Sequence, residues 1–136
     1  MSDLTPTYIY KIIHASTPPP SPLPEALPVS DLDKSDQFIH LSTAVQVPGT
    51  LGRFFNDQER VYICRIKYAN VESKIKWEDG KSKGPGGVGE PDIFPHLYND
   101  LRLGSAEIDS VEEWTSEAGN WDTAVAKSKE SGWFVY

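Results

Sequence analysis

Cysteine is nearly absent: Cys64 is the one thiol in 136 residues, which excludes an intramolecular disulfide and a zinc centre built from several cysteines. Its place inside an apolar stretch reads as an inert core thiol. Basic charge is scarce too, with 13 Lys and Arg against 20 Asp and Glu and a formal net charge of −7. A phosphate backbone is gripped by clustered cations that release counterions, so nucleic acid is not expected as the main partner, although a nucleotide remains open. No apolar run is long enough to cross a membrane, and Met1-Ser2-Asp3-Leu4-Thr5-Pro6 has no basic start leading into an apolar stretch. The expectation is a cytoplasmic protein with no membrane role.

What is present suits a single domain over 1–136, with 38% hydrophobic and 24% charged residues, large enough to bury a core unaided. The core is expected over about 8–109, with a C-terminal helical extension at 110–136. Tyr8–Ile13 reads as a first strand, with His14 at the surface where it ends. The prolines from Pro18 to Pro28 cannot supply helix or ladder N–H groups and predict an extended loop. Phe38–Ser42 alternates as a strand, with Phe38, His40 and Ser42 on one face and Ile39 and Leu41 on the other. It runs into a helix start, where Thr43 and Gln46 have the capping-box spacing. Pro48 and Gly49 predict a kink or fresh start before a buried face of Leu51, Phe54 and Phe55.

Val61–Tyr68 is the clearest strand and is expected at the centre of a sheet, with Tyr62, Cys64, Ile66 and Tyr68 on one face. Lys74–Glu78 reads as a short strand or extended edge, and Asp79–Gly89 as a flexible lid; its glycines lack the lysine and helix start of a phosphate-binding loop. Leu101–Leu103 and Ala106–Asp109 predict a strand pair or one bent strand. A helix over Asn120–Ser131 stops at Gly132, and Trp133-Phe134-Val135-Tyr136 is apolar enough to pack back on the body. Strands outnumber helices without regular alternation. That order predicts an α+β fold, one compact domain with a mostly antiparallel or mixed sheet and two or three helices.

The chemistry-bearing residues fall in three places: His40 with Ser42 and Thr43, Lys76-Trp77-Glu78, and Phe94-Pro95-His96-Leu97-Tyr98. Two histidines and a carboxylate make a competent acid–base set near neutral pH, which fits a cofactor-free isomerase, lyase or hydrolase acting on a small metabolite. His40, His96 and Glu78 are also metal-ligand types, but no local metal motif accompanies them and no metal is expected. A non-catalytic binding module, working through the acidic surface and apolar tail, is the further alternative. An enzyme predicts that His40→Ala and His96→Ala abolish activity with little loss of stability.

Tyr10-Lys11-Ile12, Phe38-Ile39-His40-Leu41-Ser42-Thr43 with Gln46, Phe54-Phe55, Lys76-Trp77-Glu78 and Phe94-Pro95-His96-Leu97-Tyr98 with Leu101 resemble, in order and spacing, the DUF952 family of small uncharacterised proteins. The resemblance covers roughly residues 8–108. It implies a split β-sheet core similar to that of the ADP-ribosyltransferases, with NAD as substrate and cleavage of its nicotinamide–ribose bond. In that reading His40 contacts ribose or phosphate, Glu78 holds the ribose hydroxyls and His96 is a second acid–base group. Lys11, Ser42 and Thr43 would then touch the dinucleotide, and Trp77 and Tyr98 would be stacking faces. The prolines from Pro18 to Pro28 depart from the family, whose members often carry a short helix with a tryptophan there.

Overall fold

The computed structural model describes residues 5–79 and 86–136. Among them the order is β1 (Tyr8–His14), α1 (Asp31–Asp36), β2 (Ile39–His40), α2 (Val47–Phe54), β3 (Arg60–Lys67), α3 (Tyr68–Val71), a 3-10 turn, β4 (Ile75–Asp79), β5 (Ile93–Leu97), β6 (Ile108–Thr115) and α4 (Asp122–Glu130). No helix among the described residues is long and apolar enough to cross a membrane.

The richest β-forming run, β3, lies centrally, paired antiparallel with β1 on one side and β6 on the other. Its two faces enter different cores. Val61 and Ile63 join Tyr10, Val47, Leu51, Trp114, Trp121, Val125 and Phe134, whereas Cys64 and Ile66 join Ile9, Ile39, Leu41, Trp77, Leu97 and Ile108. The period of two therefore places one sheet between two apolar layers. The second sheet has the order β2-β5-β4, again antiparallel, and covers the second of these cores. An isolated bridge between Tyr10 and Ser42 joins the two sheets.

The fold is therefore α+β with antiparallel sheets. Four helices among the described residues exceed the expected two or three, for a reason visible in each extra one. Helix α1 is six residues, mostly polar, and α3 begins at Tyr68, which continues the alternation of β3 but turns at once into a helix. Tyr68 is thus a helical residue, not the end of a strand face. The Thr43–Gln46 box forms, with Thr43 N–H donating to Gln46 Oε1 at 3.0 Å and Gln46 N–H to Thr43 Oγ1 at 3.3 Å, but it closes a turn, and α2 starts only at Val47. Pro48 sits in the first helical turn, where a missing N–H costs nothing, so it starts the helix rather than kinking it. The buried stripe of α2 is Val47, Leu51 and then Phe55, and Phe54 is 63% exposed because it falls off that i, i+4 line.

Leu101–Leu103 is not a strand. It lies in the connection to β6, and the proline loop is pinned beside it by Leu27 N–H to Leu103 C=O and Ser105 N–H to Pro24 C=O, both 2.8 Å. Residues 110–115 belong to β6, a core strand, so the stretch expected as a helical extension begins inside the sheet and turns helical only at Asp122. The apolar tail packs back: Phe134 is buried, and the Tyr10 hydroxyl donates to Val135 C=O at 2.6 Å. Of the lid expected at Asp79–Gly89, residues 80–85 lie outside the described residues; Gly86 N–H donates to Trp77 C=O at 2.8 Å.

Candidate functional site

Sheet register assembles the site. His40 on β2 lies opposite His96 on β5, and His96 lies opposite Lys76 on β4. Directly opposed residues share a face. Phe38, Glu78 and Tyr98, each two residues along from one of these, share it as well, while Ile39, Ile75, Trp77 and Leu97 turn to the core. Phe38 fills the middle, its ring centroid 4.2 Å from that of His96, 4.5 Å from His40 and 5.1 Å from Tyr98. The two imidazoles meet edge-on at 5.3 Å.

Helix α1 supplies the partners of His40. Ser30 caps it, accepting the Asp33 N–H at 3.2 Å, and this sets the Asp33 side chain inward at the third helical position. One Asp33 oxygen lies 2.6 Å from His40 Nδ1 and accepts the His40 backbone N–H at 3.2 Å; the other accepts Lys11 Nζ at 2.7 Å. On the far side of the ring, Nε2 stands 3.0 Å from Asp36 Oδ2. To donate to both carboxylates the ring must carry protons on both nitrogens. Burial pushes the Asp33 carboxyl upward, but the hydrogen bond from His40 and the Lys11 ammonium outweigh it and hold the group below the usual carboxylate range.

His96 also meets a carboxylate through Nδ1, but one in place of two. Its Nδ1 is 2.9 Å from Glu78 Oε1, which also accepts the Tyr98 hydroxyl at 2.6 Å. Burial alone would raise Glu78, yet the donors Tyr98 and His96 bring it below its ordinary value. Burial depresses His96, the Glu78 hydrogen bond offsets part of this, and nearby His40 depresses it further. Tyr98 is pushed up to about 12 by burial and by its bond to Glu78. An ionised Glu78 only accepts, so the proton of neutral His96 is on Nδ1 and Nε2 carries the lone pair.

Tyr98→Phe should move the Glu78 titration upward by removing a donor to its charged form, at a stability cost of about 1 kcal/mol. Carboxyl carbon NMR across the acid range, paired with urea unfolding, reads both. An unmoved Glu78 titration would show that the hydroxyl does not set its charge.

His40, Glu78, His96 and Tyr98 are thus brought together. The side chain of His40 is 24% exposed and that of Glu78 17%, whereas His96 is only 2% exposed behind Phe38, so His96 touches solvent through its partner Glu78 rather than directly. Lys11 is an ion-pair partner of Asp33 and not a free surface lysine. Ser42 is buried and its backbone exchanges hydrogen bonds with Tyr10; the Thr43 hydroxyl serves the Gln46 cap. Trp77 does not face the site. It is buried on the opposite side of the sheet and donates Nε1–H to the Tyr68 hydroxyl at 3.0 Å, because the residue between Lys76 and Glu78 must point away from both. Among the described residues no group of three His, Cys, Asp or Glu side chains is arranged to hold a metal ion.

Sequence reasoning missed Asp33 and Asp36. A signal existed in Ser30-Asp31-Leu32-Asp33, a Ser followed three residues later by an acid, which marks a helix start just before His40.

A family model described as "Protein of unknown function (DUF952)" matches residues 23–111. Among solved structures, the crystal structure of protein CC0527 from Caulobacter crescentus is similar, with a TM-score of 0.64, 24% identity, and coverage of 88% of this chain and 99% of that one. The solution structure of the same protein gives a TM-score of 0.60 at 25% identity, covering 82% and 88%. No curated protein matches the chain.

Proposed function

This chain belongs to the DUF952 family, and on that premise we propose that the face carrying His40, Glu78 and Tyr98 is the active site of a small enzyme. It works by general acid–base catalysis on a small metabolite and needs no resident cofactor. The supporting observation is two histidine–carboxylate pairs on one face whose rings stand 5.3 Å apart, His40 with a carboxylate at each ring nitrogen and His96 with one at Nδ1. His40 lies between two carboxylates and offers a proton; Glu78 is ionised and can take one. Neighbouring groups held in different environments divide the acid and base roles.

In this reading Glu78 removes a proton from carbon next to a carbonyl, the C–H electron pair forms a C=C bond as the carbonyl π pair moves to its oxygen, and that oxygen takes a proton from His40. His96 is a positioning residue that orients Glu78. The test is proton NMR of small aldehydes, ketones, hydroxy acids and keto acids incubated with the protein in D2O. Deuterium uptake or product formation with the native protein, lost in Glu78→Gln, supports it. A full panel without either outcome sinks it.

One observation favours a second reading, an NAD-utilising, ADP-ribosyltransferase-like activity on a related split-sheet fold. Glu78 is a partly exposed carboxylate beside a tyrosine, suited to hold ribose hydroxyls and to offset the positive charge of an oxocarbenium-like state. Calorimetric titration with NAD decides between the two. Saturable heat that disappears in His40→Ala favours the transferase, and no heat removes it.

A further inference from the structure

The ring of His40 has one nitrogen on its inner side and one on its outer side. Nδ1 is turned to the buried Asp33, while Nε2 meets Asp36, which is 40% exposed. The two acids are held differently. Asp33 is fixed by Lys11, the His40 backbone and the helix cap, whereas Asp36 is the last residue of a six-residue helix, followed by Gln37 in the left-handed conformation at φ 66°. An ion pair at such an exposed end is weak and exchanges readily.

The geometry points to Asp36 as a placeholder: its carboxylate occupies the place on His40 that the carboxylate of a small substrate takes. This deepens the acid–base reading and rests on it. Charge supports a carboxylic acid as the substrate class. With His40 protonated, the cations Lys11, His40 and Lys76 stand among the carboxylates Asp33, Asp36 and Glu78. Turning Asp36 outward leaves one positive charge, which a monoanion balances. Lys76 is in register with His96, and its ammonium lies 4.4 Å from the Tyr98 ring centroid, so a second cation borders the same face. A carbonyl next to the substrate carboxylate would share the one Nε2–H of His40 with it, which brings the oxygen to be protonated to that nitrogen, with the neighbouring C–H toward Glu78. The class is therefore a small 2-oxo acid.

The test follows the imidazole nitrogens of His40 by NMR during titration with acetate, pyruvate and inorganic phosphate. Saturable shifts are expected, with pyruvate bound more tightly than acetate. Asp36→Ser should tighten both by about fivefold by removing the internal competitor, and His40→Ala, followed on the His96 ring nitrogens, should abolish binding. Unchanged or weaker binding in Asp36→Ser would overturn the proposal by making Asp36 a support of the site; phosphate bound more tightly than either carboxylate would overturn the substrate class. Because binding is read without turnover, its failure is distinct from an absence of proton exchange in D2O.

Discussion

Asp33→Ala is expected to destabilise the fold by about 3 kcal/mol, at the lower end for breaking a buried ion pair by removing one partner. The carboxylate is buried and accepts from Lys11, from the His40 ring and from the His40 backbone, so truncation leaves two side-chain donors and one N–H without their acceptor at once. Asp33→Asn keeps the shape and one acceptor oxygen and should cost about half as much. The acid side of the stability curve carries the same information. Asp33, Glu78 and His96 all have folded-state values below their ordinary ones of 3.8, 4.5 and 6.5. For each, the unfolded chain binds protons more readily, so the stabilisation is present above the unfolded value and is lost as pH falls through the folded one. Urea midpoints should therefore decline first below about pH 6.5, as His96 resists charging, and more steeply below about 4.5 as the carboxylates follow. In Asp33→Ala the lowest part of that decline should flatten. A mutant with native stability and an unaltered acid limb would remove Asp33 from its central role.

The strands were legible because their patterns are simple. Val61–Tyr68 alternates cleanly, and β3 is indeed the central strand; Phe38 and His40 do share a face away from Ile39 and Leu41. The same period of two should have excluded Trp77 from the site, since Glu78 and Trp77 are adjacent on one strand and cannot face the same way. Helix α1 was hidden by its shortness and polarity: the burial of Asp33 comes from long-range partners on β1 and β2, which no local pattern announces. His96 shows a similar limit. Its sequence neighbours mark it as a site residue, but its place on the middle strand of the sheet and the packing of Phe38 on its ring bury it, so His96→Ala should cost stability as well, contrary to the expectation of a purely functional loss.

Glu78→Gln should lower the rate of the proposed proton transfer by about 10²–10⁴-fold, the usual contribution of a positioned acid–base group. The substitution conserves volume and removes the charge that makes the residue a base. Glu78 accepts from both His96 and Tyr98 on one oxygen, and an amide oxygen in that place keeps both bonds, so the His96 proton stays on Nδ1. The variant therefore separates charge from wiring: lost activity is expected with the His96 tautomer retained in its two ring nitrogen shifts. Loss of rate with the tautomer unchanged places Glu78 as the base and His96 behind it. A rate left intact would instead show that the pair organises the sheet face and that the proton goes elsewhere.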